Sequence, residues 1–114
     1  MVAKSPYTPS RGDVVWTTLD PARGHEQRGR RPALVVSPRI YNEKSGLALV
    51  CPVTTKIKNY PFEVGLEIQG EPSVILVDQL RSLDWRERKF KKIQALPAPI
   101  MNVVADYLAK LIGE

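Results

Sequence analysis

Residues 20 to 31 read Asp-Pro-Ala-Arg-Gly-His-Glu-Gln-Arg-Gly-Arg-Arg, with arginines at 23, 28, 30 and 31. A guanidinium grips phosphate oxygens through two parallel N–H donors, so this cluster is a candidate phosphate clamp. Gly24 and Gly29 let the backbone fold tightly. Pro32 restricts Arg31 to an extended conformation, so the Arg31 side chain leaves the start of a strand in a defined direction. The alternative is a solvated basic loop in which Arg31 is an ordinary surface residue.

Three further places carry polar side chains in apolar company. Cys51-Pro52-Val53-Thr54-Thr55 ends in two hydroxyls, which could bond a substrate but also follow from β-propensity alone. Asp78, Gln79 and Arg81 interrupt an otherwise apolar run; either they form the floor of a site or the strand passes to the surface there. His25 is the single histidine, in the arginine-rich stretch. A two-histidine acid/base pair within one chain is therefore excluded. The carboxylates, Asp13, Asp20, Glu26, Glu43, Asp78 and Asp84 among them, are scattered rather than paired, which argues against a metal site. No cofactor is expected, and no Walker loop or Gly-x-Ser-x-Gly elbow occurs.

The elements that must hold these groups are mostly short strands. Residues 14 to 19 are β-branched and aromatic, while 33 to 37 and 47 to 53 are nearly continuous apolar runs that suit strands covered on both faces. Residues 62 to 68 alternate, with Phe62, Val64, Leu66 and Ile68 opposite Glu63, Gly65 and Glu67. Residues 73 to 83 read as one further strand and 90 to 95 as a last one. At the C-terminus Ile100, Val103, Val104, Tyr107, Leu108, Leu111 and Ile112 recur at spacings of three and four, which predicts a helix over 98 to 112. Pro99 suits its first turn and Gly113 its exit. The expected fold class is mainly β with a C-terminal α-helix, arranged as a small, strongly bent antiparallel barrel. The doubly apolar strands imply either a dimer interface or a thick core.

At 114 residues and with one cysteine, Cys51, the chain suits a single domain, 1–114, with a flexible arm over 1–10 and no disulfide framework. Its longest apolar run, 47 to 53, is far short of a membrane span. A soluble, cytoplasmic protein is expected. The net charge of +5 is concentrated in residues 1 to 40 and 80 to 92, with a mildly acidic middle. Two basic blocks suit a polyanion such as nucleic acid or an acidic protein partner, or else simply a solvated surface.

Read in order, Arg-Gly-Asp-Val-Val-Trp (11 to 16), the arginine-rich stretch running on through Pro-Ala-Leu-Val-Val-Ser-Pro (20 to 38), Val-Cys-Pro-Val-Thr-Thr (50 to 55), Tyr-Pro-Phe-Glu-Val (60 to 64) and Asp-Gln-Leu-Arg-Ser-Leu-Asp-Trp (78 to 85) resemble the MazF/PemK toxin family. The resemblance spans nearly the whole chain. It implies an SH3-like, CcdB-like barrel working as a homodimer. It further implies a metal-free, ribosome-independent endoribonuclease, an mRNA interferase that halts growth and is neutralised by a cognate acidic antitoxin of the MazE type. The catalytic pair falls on Arg31 and Thr54, with Glu26 and Gln27 in the loop over the site and Gln79 in the family's acidic-Gln pair. Two departures stand out: Thr18 replaces an acidic residue, and His25 replaces a serine.

Metal-free RNA cleavage most simply uses the substrate 2′-hydroxyl, leaving a 2′,3′-cyclic phosphate and a 5′-hydroxyl. Arg31 suits stabilisation of the phosphorane and proton donation, but a guanidinium does not accept a proton at neutral pH. Thr54 would bond a non-bridging oxygen, and Glu26 is the candidate base, with water or a phosphate oxygen as alternatives. The candidate RNA contacts are His25, Gln27, Arg28, Arg30, Thr55, Lys56, Lys58, Gln79 and Arg81, reading an unpaired ACA-like triplet. The competing class is a non-enzymatic CcdB-like toxin that binds gyrase. A plain SH3-like binding module is the third reading.

Overall fold

The computed structural model describes residues 7–19 and 29–113. Strands β1 (Asp13–Thr18), β2 (Arg30–Val35), β3 (Leu47–Thr54), β4 (Glu63–Ile68), β5 (Glu71–Leu76), β6 (Arg81–Asp84) and β7 (Lys91–Ala95) form one antiparallel array. Its path runs β4-β5-β3-β2-β1-β7, with β6 also paired to β3. Helix α1 (Arg39–Ser45) joins β2 to β3, and α2 (Ala98–Ile112) closes the chain. This is the bent mainly-β half-barrel with a C-terminal helix that the sequence implies.

β3 organises the fold because it is long enough to serve three partners. One edge pairs with β2; the other pairs with β6 along Leu47–Val50 and with β5 at Val53 and Thr54. Strand alternation sorts its side chains into two cores. Cys51 and Val53 join Val14, Leu34, Val36, Ile75 and the α2 residues Met101 and Val104 in one cluster. Ala48 and Val50 join Val15, Ala33, Val35, Leu83, Trp85 and Phe90 in the other. The doubly apolar strands are thus explained within one chain, by a thick core. Each buried Val, Leu or Ile contributes about 1.5–3 kcal/mol.

The expected strand over residues 73 to 83 is not continuous. A 3-10 turn at Val77–Gln79 separates β5 from β6, so Asp78 and Gln79 stand exposed at a corner and Arg81, also exposed, begins β6 just beyond it. Helix α1 was not anticipated: at seven residues it is too short for its periodicity to register. Its exit is marked by Gly46 at φ 77°, whose N–H reaches the Asn42 carbonyl at 3.0 Å. The β4–β5 hairpin turns through Gln69 and Gly70, both at positive φ, as a two-residue type I′ connection requires.

The flexible arm expected over 1–10 needs correction at its second half. Pro9 is fully buried. The Tyr7 hydroxyl donates to the buried Asp13 carboxylate, which also accepts the Ser10 N–H at 3.0 Å and lies 3.4 Å from Lys92 Nζ. Burial, then the Asp13 bond, pushes the Tyr7 phenol well above its ordinary range. Residues 1–6 lie outside the described set. On α2 the predicted stripe is narrower than its spacing implied: Met101 and Val104 are buried, while Val103, Leu111 and Ile112 are exposed. No helix among the described residues is long and apolar enough to cross a membrane.

Candidate active site

The pairing of β2 with β3 determines what can meet at its end. Ala33 faces Pro52, Leu34 faces Cys51 and Val35 faces Val50. The pairing ends at Ala33 and Pro52, and the same register carried two residues on directs Arg31 and Thr54 to the same end of the pair. Pro32 has no N–H to extend the ladder, so the strands part just where these side chains begin. By alternation both belong to the sheet face of Ala33 and Val50, beyond the margin of that core. Arg31 and Thr54 accordingly line one groove of about 450 Å³. They also share a smaller recess of about 170 Å³ with Thr55 and Ser73.

The groove is open above an apolar floor. Leu19, Pro52, Val53 and Leu76 form the base; Arg31, Lys56, Lys58 and Arg81 supply positive charge; Glu63 and Asp78 supply negative charge; Gln79 and Tyr60 complete the wall. Four cations against two carboxylates make it an anion-attracting cleft. Arg31 is exposed, and its side chain makes no hydrogen bond or ion pair to a described residue. A guanidinium anchored on a strand, with its donors unused, is available to an incoming phosphate.

Thr54 is half-buried, and its Oγ1 accepts the Lys56 N–H at 3.1 Å. A hydroxyl has one hydrogen and two lone pairs. With one lone pair committed to the backbone, its O–H is oriented to donate elsewhere, which suits a bond to a phosphate oxygen. The loop that follows is held by Glu63, whose carboxylate accepts the Lys58 N–H at 3.2 and 3.3 Å and the Asn59 N–H at 2.8 Å. Lys58 Nζ sits 5.7 Å from the centre of the Tyr60 ring. Cys51, beneath the floor, is fully buried; burial, with Asp78 adding to it, pushes its thiol up to about 12, so it is not a nucleophile at neutral pH.

Of the residues singled out from sequence, Arg31, Thr54, Lys56, Lys58, Gln79 and Arg81 meet in the groove, and Thr55 lines the recess beside it. Arg30 does not join them. Its guanidinium is turned to the β6–β7 turn, donating to the Arg88 and Lys89 carbonyls at 3.1 Å each, because successive strand residues face opposite ways. His25, Glu26, Gln27 and Arg28 lie outside the described residues. Tyr60 closes the loop from Lys56 that the sequence offers as a base reader, whereas Glu63 was missed as a site residue. The outward alternation of Glu63 was visible in the sequence, but the turn that folds it back over the lysine loop was not. Among the described residues no group of three or more His, Cys, Asp or Glu side chains could hold a metal ion.

Residues 10–112 match the model of the PemK-like, MazF-like toxins of type II toxin-antitoxin systems. The chain is 42% identical over 109 residues to the endoribonuclease toxin MazF of Escherichia coli K12, spanning 96% of this chain and 98% of that one. It superposes on crystalline MazF from Deinococcus radiodurans with a TM-score of 0.84 at 46% identity, covering 96% of this chain and all of the other. The MazE–MazF complex from the same organism gives 0.82 at 42%, covering 95% and 98%. The chain therefore belongs to the PemK/MazF toxin family.

Proposed function

We propose that this MazF-type endoribonuclease toxin cleaves single-stranded RNA in the β2–β3 groove by attack of the substrate's own 2′-hydroxyl. The 2′-oxygen bonds to phosphorus, its proton passes to a base, and the bond from phosphorus to the 5′-oxygen breaks. The 5′-oxygen then takes up a proton, leaving 2′,3′-cyclic phosphate and 5′-hydroxyl ends. Arg31 neutralises the charge that builds on the phosphorane and is the proton donor. Thr54 donates to a non-bridging oxygen. Such preoriented donors gain most where charge develops, since they need no rearrangement at the moment of reaction. Glu26 is the candidate base, and water or a phosphate oxygen can take that role.

The observation that carries this reading is the shared lining of one cationic groove by Arg31 and Thr54. Lys56, Lys58 and Arg81 flank it and suit the phosphates on either side. Sequence preference, for an ACA-like triplet by kinship, falls to unpaired bases read by the loops at 20–31 and 56–60. The same groove suits the acidic tail of a MazE-like antitoxin, which would inhibit by occupying it, and the working form is a homodimer. Expected cofactors are none, and the site of action is the cytoplasm.

Incubating the purified protein with a defined single-stranded RNA in EDTA tests this directly. Cleavage with cyclic-phosphate and 5′-hydroxyl ends is expected. An all-deoxy oligomer of the same sequence should resist, because it lacks the nucleophile. Intact RNA together with gyrase inhibition would instead favour a CcdB-like toxin.

A further inference from the structure

Glu63 poses a problem for a groove that takes polyanions. Its side chain lines both the Arg31–Thr54 groove and an adjoining cavity of about 580 Å³ along β4 and β5, where a free carboxylate would oppose phosphate. It is not free: both oxygens are turned onto the backbone N–H groups of Lys58 and Asn59. The Glu63 N–H in turn donates to the Tyr60 carbonyl at 3.2 Å. Asn59 is thereby held at φ 61°, in the left-handed region, and the chain reverses there. Tyr60 emerges from that reversal 60% exposed, on the boundary the two cavities share.

The adjoining cavity has no lysine or arginine in its wall; Ile57, Leu66, Pro72 and Val74 line it beside the Glu63 and Glu67 carboxylates, a charge balance that disfavours phosphate. It suits a base rather than a phosphate. We propose that Glu63 is a positioning residue for substrate recognition. By holding the 55–62 loop it fixes the Tyr60 ring as a stacking platform for an unpaired base next to the scissile phosphate. The proposal rests on the nuclease reading above and deepens it. Stacking a base on an aromatic ring is tolerant of base identity but strong, and the platform is useful only if the ring is fixed before RNA arrives.

The test is steady-state cleavage of a fluorescent RNA by Glu63→Gln, Tyr60→Ala and the double variant, over a range of pH. An amide has one carbonyl oxygen and no charge, so Glu63→Gln keeps the side chain's shape but loosens the loop. Each single change should raise KM roughly ten- to hundred-fold with kcat nearly unaltered. The double change should be little worse than either alone, because both remove one platform. The pH profile of kcat should keep its shape. Loss of its acidic limb in Glu63→Gln would make Glu63 the base and overturn the proposal, as would an unchanged KM or fully additive effects. Should Glu63→Gln fail to fold by circular dichroism, Tyr60→Ala decides alone, since an exposed ring can be removed without a cavity. Failure of the nuclease reading is distinct: the unaltered protein would then leave the RNA intact.

Discussion

The β2–β3 pair ends in two opposite ways. At the α1 end the buried polar side chains are all answered. Asn42, fully buried, donates to the Pro9 and Ser37 carbonyls at 2.9 and 3.1 Å and accepts from the Ser37 hydroxyl, which itself accepts the Leu49 N–H at 2.9 Å. The Asn42 carbonyl takes the Trp85 indole N–H at 2.8 Å. At the other end Arg31, Gln79 and Arg81 reach into the groove with no side-chain hydrogen bond to a described residue. The same two strands thus run from a closed polar knot to an open set of donors. A polar group whose partners are all within the chain stabilises the fold, and one held rigid without a partner is available to a ligand.

The largest effect expected at the open end is that of Arg31→Ala. Removing a preoriented charged donor costs about 10²–10³ in rate or more, so kcat on a defined RNA should fall by at least that factor with the unfolding midpoint unchanged. A folded and fully active Arg31→Ala protein would remove the mechanism. Thr54→Val, nearly isosteric, should lower kcat by about 10². It also deprives the Lys56 N–H of its acceptor, so KM should rise modestly as the loop loosens. Both variants should abolish growth inhibition in cells.

The closed end should respond in the opposite sense. Asn42→Ala leaves the Pro9 and Ser37 carbonyls without their donor in a buried site, which costs about 2–3 kcal/mol of stability, read as a lower urea midpoint. Its kcat/KM per folded molecule should match that of the unaltered protein. A comparable loss of activity there would mean that the two ends are coupled through β2 and β3 and are not separable.

How far these ends could be read from sequence depended on how local the signal was. Helix α2 coincides with its predicted span because a long stripe, a Pro in the first turn and a Gly exit all agree. The β2 and β3 runs were evident from their nearly continuous apolarity, and Arg31 from the proline that follows it. What stayed hidden depended on contacts distant in sequence. α1 is held by Asn42 reaching Pro9 across 33 positions, which no window of neighbouring residues contains. The break at Val77–Gln79 is set by β3 serving both β5 and β6, so an apolar run interrupted by Asp78, Gln79 and Arg81 read as one strand. Arg30 and Arg31 look equivalent as neighbours, yet alternation sends one to the β6–β7 turn and the other to the groove.

Where the closed region gives way to the open one is measurable at Cys51, three residues before Thr54. Its thiol, fully buried with Sγ 3.8 Å from the Val77 carbonyl oxygen, is pushed up to about 12 from an ordinary 9.0 by burial and then by Asp78. The folded state therefore holds this proton more tightly than the unfolded chain does. Stability from this group is full below pH 9 and is lost as pH rises from there towards 12, because the unfolded chain ionises first. Between pH 8 and pH 10 the unfolding free energy should fall by about 1.4 kcal/mol more than it does in Cys51→Val. Alkylation at pH 8 by iodoacetamide should likewise be slow in native protein and fast in urea. Equal pH slopes in the two proteins would mean that water reaches Cys51 from the groove, and that the open region begins below its floor and not above it.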